Sequence, residues 1–180
     1  MTQGPNRSLI PAWVDGRLRP VDKLEAHKLG LRHKAVSVFI FCGDHLLLQR
    51  RAPGKYHTPG LWTNTCCTHP FMDESAADCA YRRVKEELGL TAPTLHHRGQ
   101  VEYRADVGSR LIENEVVDVF TGVTETRPAL APDPEEICDT AWVTPEALLG
   151  DLKAHPDRYT PWLRIYLSDH RDMILTPIHS

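Results

Sequence analysis

The sequence has no apolar run long enough for a membrane. Its longest clean stretch, Ala35 to Cys42, falls far short of the roughly 20 residues a spanning helix needs. The first residues, MTQGPNRSL, lack the basic-then-apolar layout of a secretory signal. A strong charge excess is missing too. With a formal net charge of −3 and a pI near 6.3, nothing points to nucleic acid or an acidic membrane as partner. There is no C-x-x-C spacing; the five cysteines are odd in number, and Cys66 and Cys67 are adjacent. That pattern argues against a disulfide framework and a dithiol redox site, and for a reducing compartment. Internal repeats and low-complexity tracts are also absent. Together these absences lead us to expect a soluble, cytoplasmic protein.

What is present fits one globular domain: 180 residues, 41% of them hydrophobic and 25% charged. Residues 1–12 read as a disordered N-terminus and 13–180 as a single domain. Trp13 to Pro20 holds a Val-Asp-Gly turn and reads as a short hairpin or edge strand, and Val21 to Arg32 as an irregular arm. His33 to Phe41, β-branched and aromatic, is a buried strand, with His45 to Arg51 its hairpin partner across Gly43-Asp44. A Pro- and Gly-marked loop spans Ala52 to Gly60, and Leu61 to His69 is extended. A helix is expected over Glu74 to Leu88. Asp73 and Glu74 sit at its positive end, Gly89 follows it, and Ala76, Ala80, Val84 and Leu88 form a narrow apolar face. Arg98 to Ala105 and Leu111 to Val123 form a further hairpin around Asp106 to Gly108. Cys138 to Val143 is a strand, and Thr144-Pro145 and Thr160-Pro161 each open a helix. The class is α+β.

The helix carries a second pattern. From Thr68 the chain runs T-x5-E-x7-RRVKEELGL, placing Glu74, Arg82, Arg83, Glu86, Glu87 and Gly89 at fixed intervals. This resembles the Nudix box, G-x5-E-x7-REUxEExGU, whose helix presents carboxylates that hold Mg²⁺ against a diphosphate, a natural use of oxygen ligands. Thr68 stands where that pattern has glycine. Arg83 stands where it has a metal-binding glutamate, which weakens the case for diphosphate hydrolysis.

The preceding segment, LWTNTCCTHP (Leu61–Pro70), is similar to one found in type I isopentenyl-diphosphate isomerases, a Nudix-fold branch. The resemblance continues through GLRHKAVSVF, LLQRRAPGKYHTPG, the altered helix, VEYRA, ENEV, APDPEE and TPW, in the family's order from Trp13 to Leu167. It implies mixed β-sheets sandwiched by helices, with an extra N-terminal arm.

Glu113 and Glu115 lie two apart on a strand, so their side chains leave the same face. Two adjacent unpaired carboxylates disfavour joint ionisation, and a metal resolves the conflict. The resemblance implies that His27, His33 and His69 complete this site, a mixed N/O set suited to Mn²⁺, Zn²⁺ or Mg²⁺. His45, His57, His96, His97, His155, His170 and His179 are read as surface or structural, with the His57 loop bordering the pocket.

The family's reaction converts isopentenyl to dimethylallyl diphosphate. An isolated alkene is a poor base, so its protonation needs a strong acid in a dry site, stabilisation of a tertiary carbocation, and a base on the opposite face. By resemblance Cys67 and Glu115 are that pair, in an order the sequence leaves open. Tyr103 relays to Glu115, and Trp162 offers a π face to the cation. Adjacent side chains on an extended segment point oppositely, so only one of Cys66 and Cys67 faces the pocket; the resemblance selects Cys67. Cys66, Cys42, Cys79 and Cys138 are expected to be buried and apolar. Arg51, Lys55 and Arg83 are implied as the diphosphate seat, with Glu87 holding a diphosphate-bound Mg²⁺. The partner is thus a small isoprenoid diphosphate, and the protein a monomer or homodimer. The competing readings are a Nudix hydrolase of a diphosphate, a catalytically silent metal-binding module, and a thiol-redox protein.

Overall fold

A computed structural model describes residues 8–176. Strand β3 (His33–Cys42) organises it. Side chains alternate across a strand, and both faces of β3 are buried. Val36, Val38 and Ile40 enter one core with Val84 and Leu88, while Ala35 and Phe39 enter a second with Trp162, Leu163 and Tyr166.

Every other layer is placed from β3. Strand β4 (His45–Arg51) returns beside it as the expected hairpin. Strand β6 (Cys66–Thr68) runs antiparallel to it, pairing Ser37 with Cys67 and Val38 with Cys66. Strand β8 (Ile112–Thr124) runs parallel in unbroken register from His33↔Glu115 to Cys42↔Thr124. Strand β7 (Leu95–Asp106) is the hairpin partner of β8, and β5 (Trp62–Thr63) and β9 (Ile137–Val143) both pair with β4. Helix α2 (Ala76–Leu88) covers one face. Helices α3 (Pro145–Ala154), α4 (Pro161–Asp169) and α5 (Arg171–Leu175) contribute Leu148, Trp162 and Ile174 to the other. The result is a mixed sheet between helices, the expected α+β layout.

The N-terminal arm is more ordered than its sequence suggests. Residues 1–7 lie outside the described residues, but Leu9 to Ala12, expected to be disordered, belong to strand β1 (Leu9–Val14). This strand pairs with β2 (Arg17–Asp22) through a tight turn with Asp15 and Gly16 both at positive φ, and joins the main sheet at Ala12↔His33. Where an irregular arm was expected, Lys23–Leu29 is helix α1. The Asp22 carboxylate accepts the Leu24 and Glu25 N–H groups at its start, and Gly30 closes it in the left-handed region. Two turns are too short for a periodicity to show.

Helix α2 begins two residues later than expected, with Ser75 as its cap, accepting the Asp78 N–H at 3.0 Å. Glu74 stays outside the helix. It accepts the Phe71 N–H and holds Arg82 through two contacts of 2.6 and 2.7 Å. Among the remaining cysteines, Cys66 and Cys79 are buried as expected. Cys42 is only half-buried and Cys138 is exposed, a correction. The cause at Cys138 is a register shift in β9 opposite Arg50 and Arg51, which leaves its thiol donating to the Arg51 carbonyl at 3.3 Å.

Gly89 ends α2 at φ 64°, and a Cβ there would stand 2.8 Å from both the Ala131 carbonyl oxygen and its methyl carbon. Gly89→Ala therefore meets backbone strain and a clash together. We expect a loss of about 1–3 kcal/mol in stability, read from the urea midpoint; an unchanged midpoint would contradict the close approach of the Ala131 loop.

Candidate active site

Sheet register brings the charged residues together. Glu115 sits between His33 of β3 on one side and Tyr103 of β7 on the other, and Glu113 lies two residues along β8. His69 follows β6, and His27 reaches in from α1. The His69 Nε2 lies 3.0 Å from a Glu115 oxygen and the His33 Nε2 lies 3.5 Å from the same atom. The rings of His27 and His33 are 4.7 Å apart, and both lie within 5.4 Å of His69. Donor atoms of His27, His33, His69 and Glu115 all fall within 4.8 Å of one another.

The outer nitrogens set the tautomers. His27 Nδ1–H donates to the Lys23 carbonyl at 2.6 Å, and His33 Nδ1–H donates to the Leu31 carbonyl at 2.7 Å. Each leaves an Nε2 lone pair facing inward, the arrangement of metal-bound imidazoles. Buried His33 Nε2 has no hydrogen-bond partner, an orphan that such a lone pair would be without a cation.

The carboxylates point the same way. The Tyr103 hydroxyl lies 2.7 Å from Glu113 and 2.6 Å from Glu115, yet it has one proton to donate. Burial, and then the charge of Glu115, push Glu113 well above the usual carboxylate range. Burial also opposes ionisation of Glu115, but its hydrogen bond with His69 Nε2 at 3.0 Å holds that group well below the usual range. His69 itself is pulled down to about 3 by burial, and so is neutral, the form that binds metals. The donor set suits a divalent cation, which would let both carboxylates ionise.

Cys67 lies on the neighbouring strand at the edge of the same pocket. Burial pushes its thiol up to about 12, partly offset by Ser37 and Asn64. Asn64 is fixed as an acceptor, because its amide donates to the Val38 and Cys66 carbonyls. Its oxygen therefore accepts the Cys67 thiol at 3.0 Å. Ser37 bridges from Cys67, 3.1 Å away, to the Tyr166 hydroxyl at 2.8 Å. Thr63 donates to the same Asn64 oxygen at 3.0 Å and accepts the Trp162 indole N–H at 2.7 Å. One polar chain thus orients both the thiol and the indole. Cys66 points oppositely, fully buried under α2.

The mouth of the pocket is cationic. Arg51, Lys55 and Arg83 all line it, as does Lys23 of α1, whose ammonium is pulled down to about 8 by burial and then by Lys55. Lys55 pairs with Glu136; Arg83 contacts Glu87 at 2.5 Å, Glu86 at 2.8 Å and Glu136 at 3.4 Å. Gln49 donates to the second Glu87 oxygen at 3.0 Å.

The candidate catalytic, substrate-binding and metal-ligating residues converge here. The pocket walls contain Arg51, Lys55, Cys67, His69, Arg83, Glu87, Tyr103, Glu113, Glu115 and Trp162, with His27 and His33 behind them. The sequence reading missed Lys23, Gln49, Tyr56 and Glu136. It also placed His57 among surface or structural histidines, whereas the ring is buried, 3.4 Å from Glu113. No spacing marks these residues, although Gln49, Tyr56 and His57 lie in the segment LLQRRAPGKYHTPG and Glu136 in APDPEE. Of the other histidines set aside, His179 lies outside the described residues.

A NUDIX domain matches residues 31–163. The chain is 61% identical to an isopentenyl-diphosphate Delta-isomerase of Cereibacter sphaeroides over 92% of its own length and 94% of the relative's. It is 59% identical to the enzyme so named in Dinoroseobacter shibae, over 93% and 96%, and 56% to that of Rhodobacter capsulatus, over 94% and 97%. Solved structures share the fold at lower identity. A Nudix hydrolase from M. smegmatis superposes with a TM-score of 0.60 at 18% identity, covering 96% of this chain and 98% of that one. A Deinococcus radiodurans structure gives 0.63 at 17% identity, covering 81% and 88%. The chain belongs to the NUDIX family and, within it, to the isopentenyl-diphosphate Delta-isomerases. Among the described residues, no helix is long and apolar enough to cross a membrane.

Thiol accessibility checks the pocket geometry directly. At neutral pH we expect iodoacetamide to label exposed Cys138 at least about 10-fold faster than half-buried Cys67, because a thiol held protonated is a poor nucleophile. Peptide mass spectrometry over time reads the order. Faster labelling of Cys67 would contradict a shielded thiol.

Proposed function

We propose that this chain interconverts isopentenyl and dimethylallyl diphosphate by protonating the alkene and removing a proton from the opposite face of a tertiary carbocation. The observation that carries this reading is a protonated, half-buried thiol, Cys67, lining one pocket with the Glu115–Tyr103 pair while four cations gather at its mouth.

In this reading Cys67 and Glu115 are the two proton carriers. Asn64 and Ser37 hold the thiol in place, and the Tyr103 hydroxyl holds and relays to Glu115. Trp162, pinned by Thr63, offers its ring to the developing cation; burial excludes water that would trap it. Arg51, Lys55 and Arg83, with Lys23 beside them, seat the diphosphate, Lys55 and Arg83 giving up their present carboxylate partners. His27, His33, His69, Glu113 and Glu115 would hold one Mn²⁺, Zn²⁺ or Mg²⁺, and Glu87 an Mg²⁺ shared with the diphosphate. The caged ion would supply positive charge that makes the Glu115 proton more acidic. The proposed groups all come from a single chain, and a cytoplasmic setting would keep Cys67 reduced.

Hydrolysis of a diphosphate is the second reading, favoured by the fold shared with Nudix hydrolases and by Glu86 and Glu87 on α2. Against it, Arg83 stands between those carboxylates and Glu136 where the hydrolase pattern has a metal ligand.

The test uses purified protein with Mg²⁺ and isopentenyl diphosphate in deuterated water. We expect dimethylallyl diphosphate carrying deuterium and no free phosphate; phosphate release without isomerisation would establish the hydrolase instead. Cys67→Ala and Glu115→Gln should each lower turnover by at least about 10²–10⁴-fold, the usual contribution of a general acid–base group. Cys66→Ala should keep most of it. Full activity in Cys67→Ala would refute the assignment of the thiol.

A further inference from the structure

Glu113 is poorly served by the histidines that surround Glu115. Donor atoms of His27, His33, His69 and Glu115 form one close group, whereas Glu113 groups with His27 and His57. The two groups meet at His27.

The geometry points to His57 as a further ligand of the caged metal, entering from the Glu113 side. Three observations support it. The His57 ring is 4% exposed, as enclosed as the residues already assigned to the cage. Its Nδ1 lies 3.0 Å from the Thr58 hydroxyl, and donation there leaves the Nε2 lone pair facing inward, the tautomer set at His27 and His33 by carbonyls. Finally, His57 Nε2 stands 3.4 Å from a Glu113 oxygen. Two donors each about 2.1 Å from one ion, at tetrahedral or octahedral angles, lie about 3.0–3.5 Å apart. The His69–Glu115 and His33–Glu115 separations, 3.0 and 3.5 Å, fall in the same interval.

Position in the chain supports a structural purpose as well. The His57 ring stacks on His27 at 5.6 Å and meets Trp162 edge-on at 5.8 Å, and the His57 carbonyl accepts from Arg51 at 3.2 Å. Thr58, at φ 46°, adopts the left-handed conformation that turns this loop inward. Ligation by His57 would thus tie the cage to the loop that carries Lys55. A fourth imidazole also changes which ion is favoured, from hard Mg²⁺ towards a borderline transition ion such as Zn²⁺.

The inference rests on the reading of the cage as a metal site, and its test does not use turnover. Protein with ¹⁵N-labelled histidine is loaded with ¹¹³Cd²⁺ as a spectroscopic substitute for Zn²⁺. We expect one-bond nitrogen–cadmium couplings to the rings of His27, His33, His57 and His69. The His57→Gln variant should lose one coupling and bind Zn²⁺ at least about 10-fold more weakly in chelator competition, since loss of even an outer partner of a metal ligand costs about 10–100-fold. Wild-type couplings to His27, His33 and His69 without His57 would overturn ligation by His57 and leave the cage intact, whatever the variant's affinity. Failure of the wild-type protein to bind either ion would overturn the cage, and this inference with it.

Discussion

The site depends on the pairing of β3. This strand has β8 in parallel on one side and β6 antiparallel on the other, and each pairing delivers half of the chemistry. The parallel register sets His33 opposite Glu115, and the antiparallel one sets Ser37 opposite Cys67. Side chains alternate with a period of two, so a slip of one residue in either pairing would turn every inward group outward. Apolar residues prevent that slip. Val36, Val38 and Ile40 meet α2 while Ala35 and Phe39 meet α4, and a one-residue slip would exchange the two faces. Precision at the polar site is thus enforced by packing that takes no part in the chemistry.

Within this frame the polar groups are costly to bury. Glu113 and Glu115 are both nearly solvent-free and share one phenol. Buried like charges repel strongly, and Glu113 accordingly favours its protonated form. A cation between them removes that conflict and satisfies the orphaned His33 nitrogen as well. The same burial keeps Cys67 protonated. A thiolate would be the better nucleophile, but a thiol is what an acid needs. One property, dryness, therefore serves both the proposed metal cage and the proposed proton carrier.

The fold was legible where residue pattern and structure share a period. The run of β3, the hairpin to β4, the alanine face of α2 and the proline-capped helices were all visible. Helix α1 and strand β1 were not. Their seven and six residues are too short to show a periodicity, and they owe their conformation to contacts with the main sheet. The site follows the same rule. Residues within distinctive segments were found, including Cys67, His69, Arg83, Glu113 and Glu115. Lys23 was missed because it is one side chain of a common type without a spacing to mark it, and His57, although inside LLQRRAPGKYHTPG, had only its loop placed at the pocket. Only the folded chain brings His57 within 3.4 Å of a carboxylate 56 positions away.

Helix α2 shows how one scaffold can carry different chemistry. Successive residues on a helix point about 100° apart, so Arg82 and Arg83 diverge, meeting only at the Glu86 oxygen they share at 3.2 and 2.8 Å. Arg82 locks Glu74 and lies over the Phe71 ring at 4.1 Å, a structural clamp at the helix entrance. Arg83 turns to the pocket and neutralises Glu86, Glu87 and Glu136. A carboxylate at position 83 would gather further metal charge around the diphosphate, favouring attack at phosphorus. An arginine binds phosphate oxygens by its fixed fork without polarising a water. The proposed isomerase chemistry then needs no change of fold relative to a hydrolase. It needs the cation at position 83, and a thiol and carboxylate where the alkene of a firmly held substrate would lie.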